Sequence, residues 1–196
     1  ETQSRECIKS NTIGSLNLLE LTADYDLDFN IGISTDKAAI VSGVYGASKF
    51  LMEALYRQFE VNYPDTQFRI VRYGNVLYST GSVLCKWKDL LEKGETPIIT
   101  EPEATRFFWT IDQAVDLIWD CMLKAEDSSP YVPDMKAMKM GDLLQAMINK
   151  YSKNKDIKPE VIGLGQGENL HEKILADGLS SKDAKKFTVK QIMKLI

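Results

Sequence analysis

A tyrosine and a lysine four residues apart, Tyr45 and Lys49, carry the clearest chemical signal in this chain. On a helix, that spacing places a phenol and an ammonium group on one face. A Ser-Thr-Asp-Lys run at residues 34–37 ends eight residues before the tyrosine and directly follows an apolar stretch that indicates a buried strand. Ligands collect at the carboxyl ends of strands in open α/β sheets, so we expect Asp36 and Lys37 to share a crevice with the phenol. One acid, one phenol and two amines together predict an acid–base site.

The phenol of Tyr45 can act as a base only if its pKa is lowered. An unperturbed tyrosine has a pKa of about 10 and stays protonated near neutral pH. A cation within ~4–6 Å favours the phenolate, and this is the role we expect for Lys49. Two plainer interpretations stay open. Tyr45 and Lys49 could be a surface pair on an amphipathic helix, and Asp36 and Lys37 could be an exposed ion pair at the end of a strand. The presence of both motifs together favours catalysis.

Apolar residues recur along the chain in segments that alternate between strand-like and helix-like patterns. Strands are predicted at residues 29–34, 68–73, 105–109, 131–132 and 158–164. Helices are predicted at residues 8–25, 44–63, 82–93, 110–125 and 140–151, followed by two short helical stretches that end at Ile196. In the second helix, Leu51, Leu55 and Phe59 are expected to face the core. Alternation of strands and helices, with largely continuous apolar strands, predicts a parallel α/β sheet.

The composition is that of an ordinary globular protein of 196 residues, with 44% hydrophobic and 27% charged residues. This length can bury one sizeable core. A net charge of −4 argues against a general nucleic-acid binder. No apolar stretch approaches the ~20 residues of a membrane span, and the polar first residues do not resemble a signal peptide. Three widely spaced cysteines without a Cys-x-x-Cys pair, and a single histidine, argue against a disulfide framework or a metal site. We therefore expect a cytoplasmic protein with no metal, no membrane contact and no nucleic-acid partner.

A dinucleotide-binding sheet is expected to open with a strand, a glycine-rich turn and a helix N-terminus that holds the pyrophosphate. Here the first predicted element is a helix, and the only glycine-rich run is Gly-Leu-Gly-Gln-Gly at residues 163–167. That run follows a predicted strand but lacks the later strand of a complete βαβ unit, so we interpret it as a turn. We expect the missing half-fold, roughly three βα units of ~30 residues each, to lie upstream of Glu1. We also expect this stretch alone to lack turnover.

Besides the Ser-Thr-Asp-Lys and Tyr-x-x-x-Lys motifs, the chain contains further recognisable motifs, which follow one another in a fixed order. They are NTIGSLNLLE at residues 11–20, ISTDKAAIVSGVYGASK at 33–49, VRYGNVLYSTGSV at 71–83, TRF at 105–107, MK at 138–139 and GENLHE at 167–172. The ordered set resembles the C-terminal part of an extended short-chain dehydrogenase/reductase. More closely, it is similar to the polysaccharide-biosynthesis group of UDP-N-acetylglucosamine 4,6-dehydratases, whose inverting members also epimerise C5. The resemblance spans nearly the whole chain.

The resemblance implies a Rossmann-like parallel sheet with a small C-terminal α/β substrate lobe. It assigns residues 1–80 to the cofactor-binding domain, with some later segments returning to it, and residues 81–196 mainly to the substrate lobe. It also implies a tightly held NADP or NAD, a nucleotide-sugar substrate, and a homo-oligomer formed through the helices predicted at residues 8–25 and 44–63.

Each motif residue receives a role from the same resemblance. Tyr45 and Thr35 would serve oxidation at C4, Asp36 would be the acid that removes the C6 hydroxyl, and Lys37 would be the base at C5, after which hydride returns to C6. The roles of Asp36 and Lys37 could be exchanged. The implied cofactor contacts are Tyr45, Lys49, Ser34, Asn75 and Val76, and the implied substrate contacts are Asn75, Ser82, Val83, Arg106 and Glu168. Asn11 would bend its helix, and Gly14 nearby fits such a bend.

Three cations that such dehydratases usually carry are missing from this chain. Where they often read Gly-Ser-Arg-Gly-Ser-Val, it reads Tyr-Ser-Thr-Gly-Ser-Val at residues 78–83. Where they read Arg-Pro-Gly-Glu-Lys-Leu-His-Glu, it reads Gly-Gln-Gly-Glu-Asn-Leu-His-Glu at residues 165–172. A different sugar nucleotide or weaker binding is therefore open. Two other functions stay open as well: a nucleotide-sugar 4-epimerase, in which Asp36 and Lys37 have no elimination to perform, and a non-catalytic remnant.

Overall fold

The computed structural model describes residues 3–23, 25 and 27–196. These residues form two compact units, each drawn from separate parts of the chain. The first unit combines the described residues of Glu1–Gly74 with Asp112–Pro133 and Lys173–Gly178. The second unit combines Asn75–Ile111, Asp134–Glu172 and Leu179–Ile196. Which unit holds a cofactor and which holds a substrate stays a prediction.

The N-terminal helix contains a wide turn in its middle. Helix α1, Ser4–Cys7, leads into a π-helix, Ile8–Ile13, and then into α2, Gly14–Ala23. The sequence predicts a helix over residues 8–25, of which residue 24 lies outside the described residues. The π-helix contains Asn11, where the resemblance implies an irregular helix. Such turns frequently occur at functional sites.

A parallel sheet of three strands forms the centre of the first unit. Strand β1, Phe29–Thr35, pairs along its whole length with β2, Gln67–Tyr73, and β2 pairs with β6, Pro130–Tyr131. The register brings β1 and β2 to an end at the same edge of the sheet. Helix α3, Val44–Asn62, connects β1 to β2, and helix α5, Ile111–Lys124, precedes β6. The predicted α/β class with a parallel sheet is confirmed.

Side chains of α2, α3 and the sheet form the core of the first unit. Its buried members are Leu19, Met52, Tyr56, Phe59, Phe68 and Ile70. The prediction that Leu51 faces the core is wrong, because this side chain is 50% exposed. The helix instead turns Met52 and Tyr56 inward. Gly32 of β1 makes room for the Tyr56 ring, since a Cβ atom there would lie 2.8 Å from it.

Short strands and three helices form the second unit. Strand β3, Asn75–Val76, pairs in parallel with β5, Thr105–Trp109, and β5 pairs antiparallel with β7, Ala137–Lys139, so this sheet is mixed. A separate parallel pair joins β4, Ile98–Ile99, to β8, Glu160–Val161. The helices are α4, Val83–Lys93, α6, Met140–Tyr151, and α7, Val189–Leu195. They pack around one apolar core, and Gly94 ends α4 in the left-handed conformation.

The C-terminal part departs from the sequence-based prediction. The strand expected at residues 158–164 is two residues long, and of the two expected helical stretches the described residues form only α7. Residues 163–188 run instead through turns and isolated bridges, one of which pairs His171 with Thr105, so His171 does not lie on a helix. Part of the reason is local. Gly163 and Gly167 adopt φ values of 81° and 82°, which glycine tolerates and which turn the chain away from a regular element.

Among the described helices, of which α3 with 19 residues is the longest, none combines the length and the apolar character needed to cross a membrane.

Candidate active site

The turn that follows β1 gathers a threonine, an aspartate and a lysine. The Thr35 hydroxyl oxygen caps this turn by accepting a hydrogen bond from the backbone N–H of Lys37 at 3.4 Å. The same hydroxyl donates to Oδ1 of Asp36 at 2.8 Å, and the Lys37 ammonium lies 3.1 Å from that oxygen. The Asp36 side chain is 1% exposed, whereas that of Lys37 is 47% exposed. The aspartate is therefore enclosed while the lysine remains accessible.

The second carboxyl oxygen of Asp36 has different surroundings. Oδ2 is buried and has no hydrogen-bond partner among the described residues. Leaving a buried polar atom without a partner costs about 1–3 kcal/mol, so such an atom in a folded protein needs an explanation. Proton exchange with a bound ligand at this oxygen would supply one.

Gly46 allows the first turn of α3 to contact the turn after β1. A Cβ atom at this position would lie 2.2 Å from the carbonyl oxygen of Lys37, so any side chain would push the two segments apart. The close approach places the phenol of Tyr45 beside Thr35 and within electrostatic reach of Asp36 and Lys37. The structure thus brings together the residues that the two motifs place on separate elements.

Opposing influences act on the phenol of Tyr45. Burial is the largest, and it raises the pKa of Tyr45 above its ordinary value. The positive charge of Lys37 and the hydrogen bond with Thr35 lower this pKa, while the negative charge of Asp36 raises it. The net direction is upward. The sequence-based expectation assigned the lowering cation to Lys49, whereas in the structure Lys37 has this effect.

Lys49 lies one helical turn after Tyr45 and is anchored to the sheet. Its ammonium donates a hydrogen bond to the backbone oxygen of Ile33 at 2.8 Å. Burial lowers the pKa of Lys49, and the carboxylate of Glu53 acts in the opposite direction. The ammonium is thereby fixed near the carboxyl end of β1, where a cofactor ribose is expected.

A buried network that the sequence interpretation missed adjoins these residues. Glu53 is fully buried and accepts a hydrogen bond from the Ser34 hydroxyl at 2.5 Å. The Arg72 guanidinium donates to both carboxylate oxygens of Glu53, at 2.7 and 2.6 Å, and also to the backbone oxygen of Ile174 at 2.8 Å. Bidentate pairs of this kind are among the stronger hydrogen-bonded contacts in proteins. The network therefore joins α3, β1 and β2. Its β1 member, Ser34, immediately precedes the Thr-Asp-Lys turn in sequence.

The sequence contains a signal for this network. Glu53 follows Lys49 by four residues and Tyr45 by eight, so the three share one side of α3. A carboxylate is almost never fully buried unless it is paired, so a glutamate among core-facing positions indicates a buried partner. The network also changes the interpretation of Ser34. Its hydroxyl already donates a hydrogen bond to Glu53. The backbone atoms of Ser34, and not its side chain, would therefore make the predicted cofactor contact.

The π-helix is hydrogen-bonded to the start of α3. Nδ2 of Asn11 donates to Oγ of Ser48 at 3.0 Å, and Oγ1 of Thr12 donates to the Ser48 backbone oxygen at 3.3 Å. The Ser48 hydroxyl in turn donates to the backbone oxygen of Tyr45 at 2.8 Å. Asn11 therefore reaches the backbone of Tyr45 through a single serine, and this holds in place the helical turn that carries the phenol.

A cavity of about 360 Å³ in the second unit gathers the other predicted site residues. Its lining includes all five predicted substrate contacts, Asn75, Ser82, Val83, Arg106 and Glu168, together with the predicted cofactor contact Val76. Much of the remaining wall is apolar and comes from Leu84, Trp87, Ile98, Ile99, Phe108 and Met140. An apolar wall with a few polar groups and this volume are typical of small-molecule sites.

Arg106 in this cavity is engaged within the second unit. Its Nε lies 3.1 Å from Oε1 of Glu172, and its Nη1 donates to the backbone oxygens of Thr105 and Leu170 at 2.9 and 3.1 Å. Nδ2 of Asn75 donates to the other oxygen of Glu172 at 3.4 Å. An anionic ligand would therefore have to compete with Glu172 for the guanidinium.

The glycine-rich run at residues 163–167 forms a turn and not a phosphate-binding loop. It follows the two-residue strand β8, and the next helix begins only at Val189. The Gly165 N–H donates to a carboxylate oxygen of Glu168 at 3.1 Å, which leaves that amide unable to bind a phosphate. This geometry agrees with the sequence-based interpretation of the run as a turn.

The predicted site residues thus fall into two groups. The acid–base residues Thr35, Asp36, Lys37, Tyr45 and Lys49 lie together in the first unit, whereas the predicted substrate contacts lie together in the second. The predicted cofactor contacts are divided, with Ser34, Tyr45 and Lys49 in the first group and Asn75 and Val76 in the second.

Comparison with known proteins adds a family to this geometry. The sequence profile of a family described as polysaccharide biosynthesis protein matches residues 1–195. An uncharacterized membrane protein of Methanocaldococcus jannaschii is 35% identical over 179 residues, which cover 88% of this chain and 54% of that protein. The inverting UDP-N-acetylglucosamine 4,6-dehydratase of Campylobacter jejuni is 30% identical over 175 residues, which cover 88% of this chain and 51% of that enzyme.

Among solved structures, the X-ray structure of Pen from Bacillus thuringiensis is similar, with a TM-score of 0.82 and 27% sequence identity. The match covers 89% of this chain and 55% of that chain. This chain therefore spans about half the length of each of these three proteins.

Proposed function

Because the chain belongs to the polysaccharide biosynthesis protein family, we propose that the whole protein is a nucleotide-sugar 4,6-dehydratase. Its substrate is UDP-N-acetylglucosamine or a related sugar nucleotide. C4 is oxidised, water is lost across C5 and C6, and hydride returns to C6, with or without inversion at C5. One observation supports elimination in addition to oxidation. Asp36 is enclosed, Lys37 lies beside it, and the Tyr45 phenol is within electrostatic reach of both.

The residues near the end of β1 fit the nicotinamide end of a dinucleotide, either NADP or NAD. Such a cofactor, when bound, supplies reversible hydride transfer. The fit rests on the Lys49 ammonium, which is held on a backbone oxygen of β1 and has further protons to donate to ribose hydroxyls. The proposed contacts are Tyr45, Lys49, Ser34, Asn75 and Val76. Among the described residues, no strand is followed by a glycine turn and a helix suited to bind the pyrophosphate. We therefore propose that a further part of the protein binds the pyrophosphate.

Tyr45 is the proposed base at C4. Its phenolate oxygen takes the proton of the C4 hydroxyl, and the Thr35 hydroxyl, which hydrogen-bonds the same phenol, orients the C4 oxygen. The phenolate needs positive charge nearby because burial raises the pKa of Tyr45. Lys37 supplies that charge in the structure.

Asp36 and Lys37 are the proposed acid and base of the elimination. A proton first passes from the Lys37 ammonium to the Asp36 carboxylate, which leaves a neutral amine and a carboxylic acid. Once C4 is a ketone, the C5 proton is acidic enough for this amine to remove it. Asp36 then gives a proton from Oδ2, the oxygen without a partner among the described residues, to the C6 hydroxyl, which departs as water. The two roles can be exchanged without changing the products, because the two groups lie 3.1 Å apart.

A nucleotide-sugar 4-epimerase is the alternative, and one observation favours it. Oδ1 of Asp36 accepts a hydrogen bond from Thr35 and lies beside the Lys37 ammonium. Both contacts hold Asp36 as in a structural ion pair, which takes no part in an elimination. In an epimerase, Thr35, Tyr45 and Lys49 are sufficient for the chemistry at C4, and Asp36 and Lys37 form a structural ion pair.

Incubation of the full-length protein with UDP-N-acetylglucosamine separates these candidates. A 4-keto-6-deoxy product, lighter by one water in mass spectrometry, supports the dehydratase. A C4 epimer of unchanged mass supports the alternative. A pure full-length protein that holds no nucleotide, gains no thermal stability from NADP or NAD and forms neither product is non-catalytic, and this result would overturn both.

Exposed apolar side chains on α2 and α3 support a homo-oligomer. Leu18 and Leu21 are 52% and 58% exposed, and Phe50 and Leu51 are 45% and 50% exposed, on two helices that contact each other. Large apolar side chains exposed close together mark interaction surfaces. We expect a Leu21→Glu, Phe50→Glu variant of the full-length protein to have a lower molar mass in light scattering than the wild type. Leu123→Glu on α5, where the side chain is 73% exposed, is the control. Equal masses for all three would contradict this interface.

A further inference from the structure

Tyr78 has a backbone conformation that is unusual for its residue type. Its φ is +57°, and among the residues that the structure describes it is the one non-glycine residue with positive φ. A bulky residue in the left-handed region is an outlier that persists only where its surroundings hold it. The sequences that this stretch resembles often have glycine at the matching position, and glycine adopts this conformation at no steric cost. This chain carries a phenol there.

The side chain of Tyr78 is hydrogen-bonded to helix α6. Its hydroxyl lies 2.8 Å from the hydroxyl of Tyr151 and 3.7 Å from the sulfur of Met147. Its ring packs against the apolar core of the second unit. Burial, followed by the hydrogen bond with Tyr151, raises the pKa of Tyr78, so its hydroxyl keeps its proton throughout the physiological range. Contacts to a helix far away in sequence therefore hold the strained residue.

Tyr78 belongs to a short loop that forms one wall of the cavity. The loop connects β3 to α4, and two of its residues, Ser79 and Ser82, line the cavity together with Val76 and Val83 on either side of it. Within the loop, the Ser79 N–H donates to the Val76 oxygen at 3.3 Å, and the Ser82 N–H donates to the Ser79 oxygen at 2.9 Å. The backbone direction at Tyr78 determines where these lining residues point, because it sits between Val76 and Ser79.

We propose that the Tyr78–Tyr151 hydroxyl pair is a latch that holds the loop between β3 and α4 in the shape that the ligand of the cavity requires. Tyr78 is then a positioning residue, since Tyr78 and Tyr151 are not among the residues that line the cavity. The latch acts on the ligand through Ser79 and Ser82. The identity of the ligand as a sugar nucleotide rests on the proposed function, whereas the action of the latch on the loop does not.

Hydrogen–deuterium exchange of the full-length protein without ligand tests the latch itself. Tyr151→Phe removes one hydroxyl and keeps the ring, and we expect the amides of Ser79 and Ser82 to exchange about fivefold faster, as for one lost hydrogen bond. Tyr78→Phe should have the same effect, and the double variant no more than either alone. Tyr63→Phe, an exposed tyrosine of the first unit, is the matched control. Unchanged exchange in both single variants would overturn the latch.

Steady-state kinetics with UDP-N-acetylglucosamine as the probe test the positioning role. We expect each phenylalanine variant to raise KM by about three- to tenfold while kcat changes little, because the acid–base residues form a separate group. Tyr78→Gly suits the backbone but removes the latch, so it should raise KM at least as much. A wild-type KM in Tyr78→Gly, or a fall in kcat alone in the phenylalanine variants, would overturn the positioning role. Absence of turnover by the wild-type protein would instead refute the proposed function, and the exchange experiment would still decide the latch.

Discussion

The two carboxyl oxygens of Asp36 differ in their surroundings, and that difference bears on whether the protein eliminates water. Oδ1 is bound by Thr35 and Lys37, whereas Oδ2 is buried without a partner among the described residues. A carboxyl group arranged in this way has one oxygen fixed by the protein and one whose hydrogen-bonding capacity is unused among the described residues. Tyr45 differs, because its phenol is more exposed and responds to both charges of the neighbouring pair.

Replacement of Asp36 by asparagine tests the acid of the elimination. Asparagine keeps the shape of the side chain but has no acidic proton to give. We expect Asp36→Asn in the full-length protein to lower formation of the 4-keto-6-deoxy product by about 10²–10⁴-fold, while reduction of the cofactor on adding substrate persists. Product and reduced nicotinamide are measured by mass spectrometry and absorbance, with Asp89→Asn on the exposed side of α4 as control. Loss of cofactor reduction as well would place Asp36 in the C4 step and contradict its assignment.

The pH dependence of C4 oxidation tests the role of Lys37. Lys37→Met removes the cation that lowers the pKa of Tyr45, while burial and Asp36 continue to raise it. The active form is the phenolate, so the rate of C4 oxidation rises with pH, and this rise should move to more alkaline pH in the variant. Single-turnover reduction of the cofactor isolates this step from the elimination. Lys190→Met, at an exposed position of α7, is the control. If the rise of the C4 oxidation rate in Lys37→Met stays at the wild-type pH or moves to more acidic pH, Lys37 does not have this role.

The elements around Gly46 show what a sequence pattern can and cannot reveal. The motifs identify Asp36 and Tyr45 because both types have known chemistry and lie at positions that a strand end and a helix start bring near one another. Gly46 escapes such an analysis, since its role depends on the distance between two backbones. The core face of α3 was misplaced for a related reason. Leu51 faces outward and Glu53 faces inward. This orientation depends on Arg72, the buried partner of Glu53, which lies 19 residues away in sequence.

Gly46→Ala should separate α3 from the turn after β1. The added Cβ would lie 2.2 Å from the carbonyl oxygen of Lys37, and relief of such a clash typically costs about 1–3 kcal/mol. We expect the free energy of unfolding in urea to fall by that amount and turnover to fall with it, because the Tyr45 phenol moves away from Thr35. Gly165→Ala is the matched control, since its Cβ would meet its nearest neighbour at an ordinary 3.7 Å. Equal stability and turnover in the two variants would contradict the close approach.

Glu53→Ala should destabilise the first unit strongly. It removes the carboxylate that two nitrogens of Arg72 contact and leaves a buried guanidinium without its counter-charge. Breaking a buried pair in this way costs about 3–5 kcal/mol. Arg57→Ala is the control, because Arg57 is 42% exposed and lies 3.9 Å from the same carboxylate, so we expect at most about 1 kcal/mol. Urea unfolding of the full-length protein measures both. A loss for Glu53→Ala no larger than for Arg57→Ala would show that the network does not stabilise the fold.

At the scale of the whole molecule, the α/β class follows from the sequence, but the course of the C-terminal part does not. Residues 163–188 have no apolar period, and their course depends on distant contacts. Ser181, for example, is buried. Its hydroxyl oxygen lies 2.7 Å from the hydroxyl oxygen of Thr105 and accepts a hydrogen bond from the backbone N–H of Glu172 at 2.8 Å. No local pattern encodes such a bridge, so the sequence predicts two helical stretches where the described residues form one, α7.

Conversion of UDP-N-acetylglucosamine by the full-length protein in deuterated water, followed by NMR of the product, tests the central claim most directly. We expect a 4-keto-6-deoxy sugar that carries deuterium at C5, because the C5 proton passes to Lys37 or Asp36 and exchanges with solvent while hydride moves from C4 to C6. A C4 epimer that keeps its C6 hydroxyl and its C5 proton would contradict it.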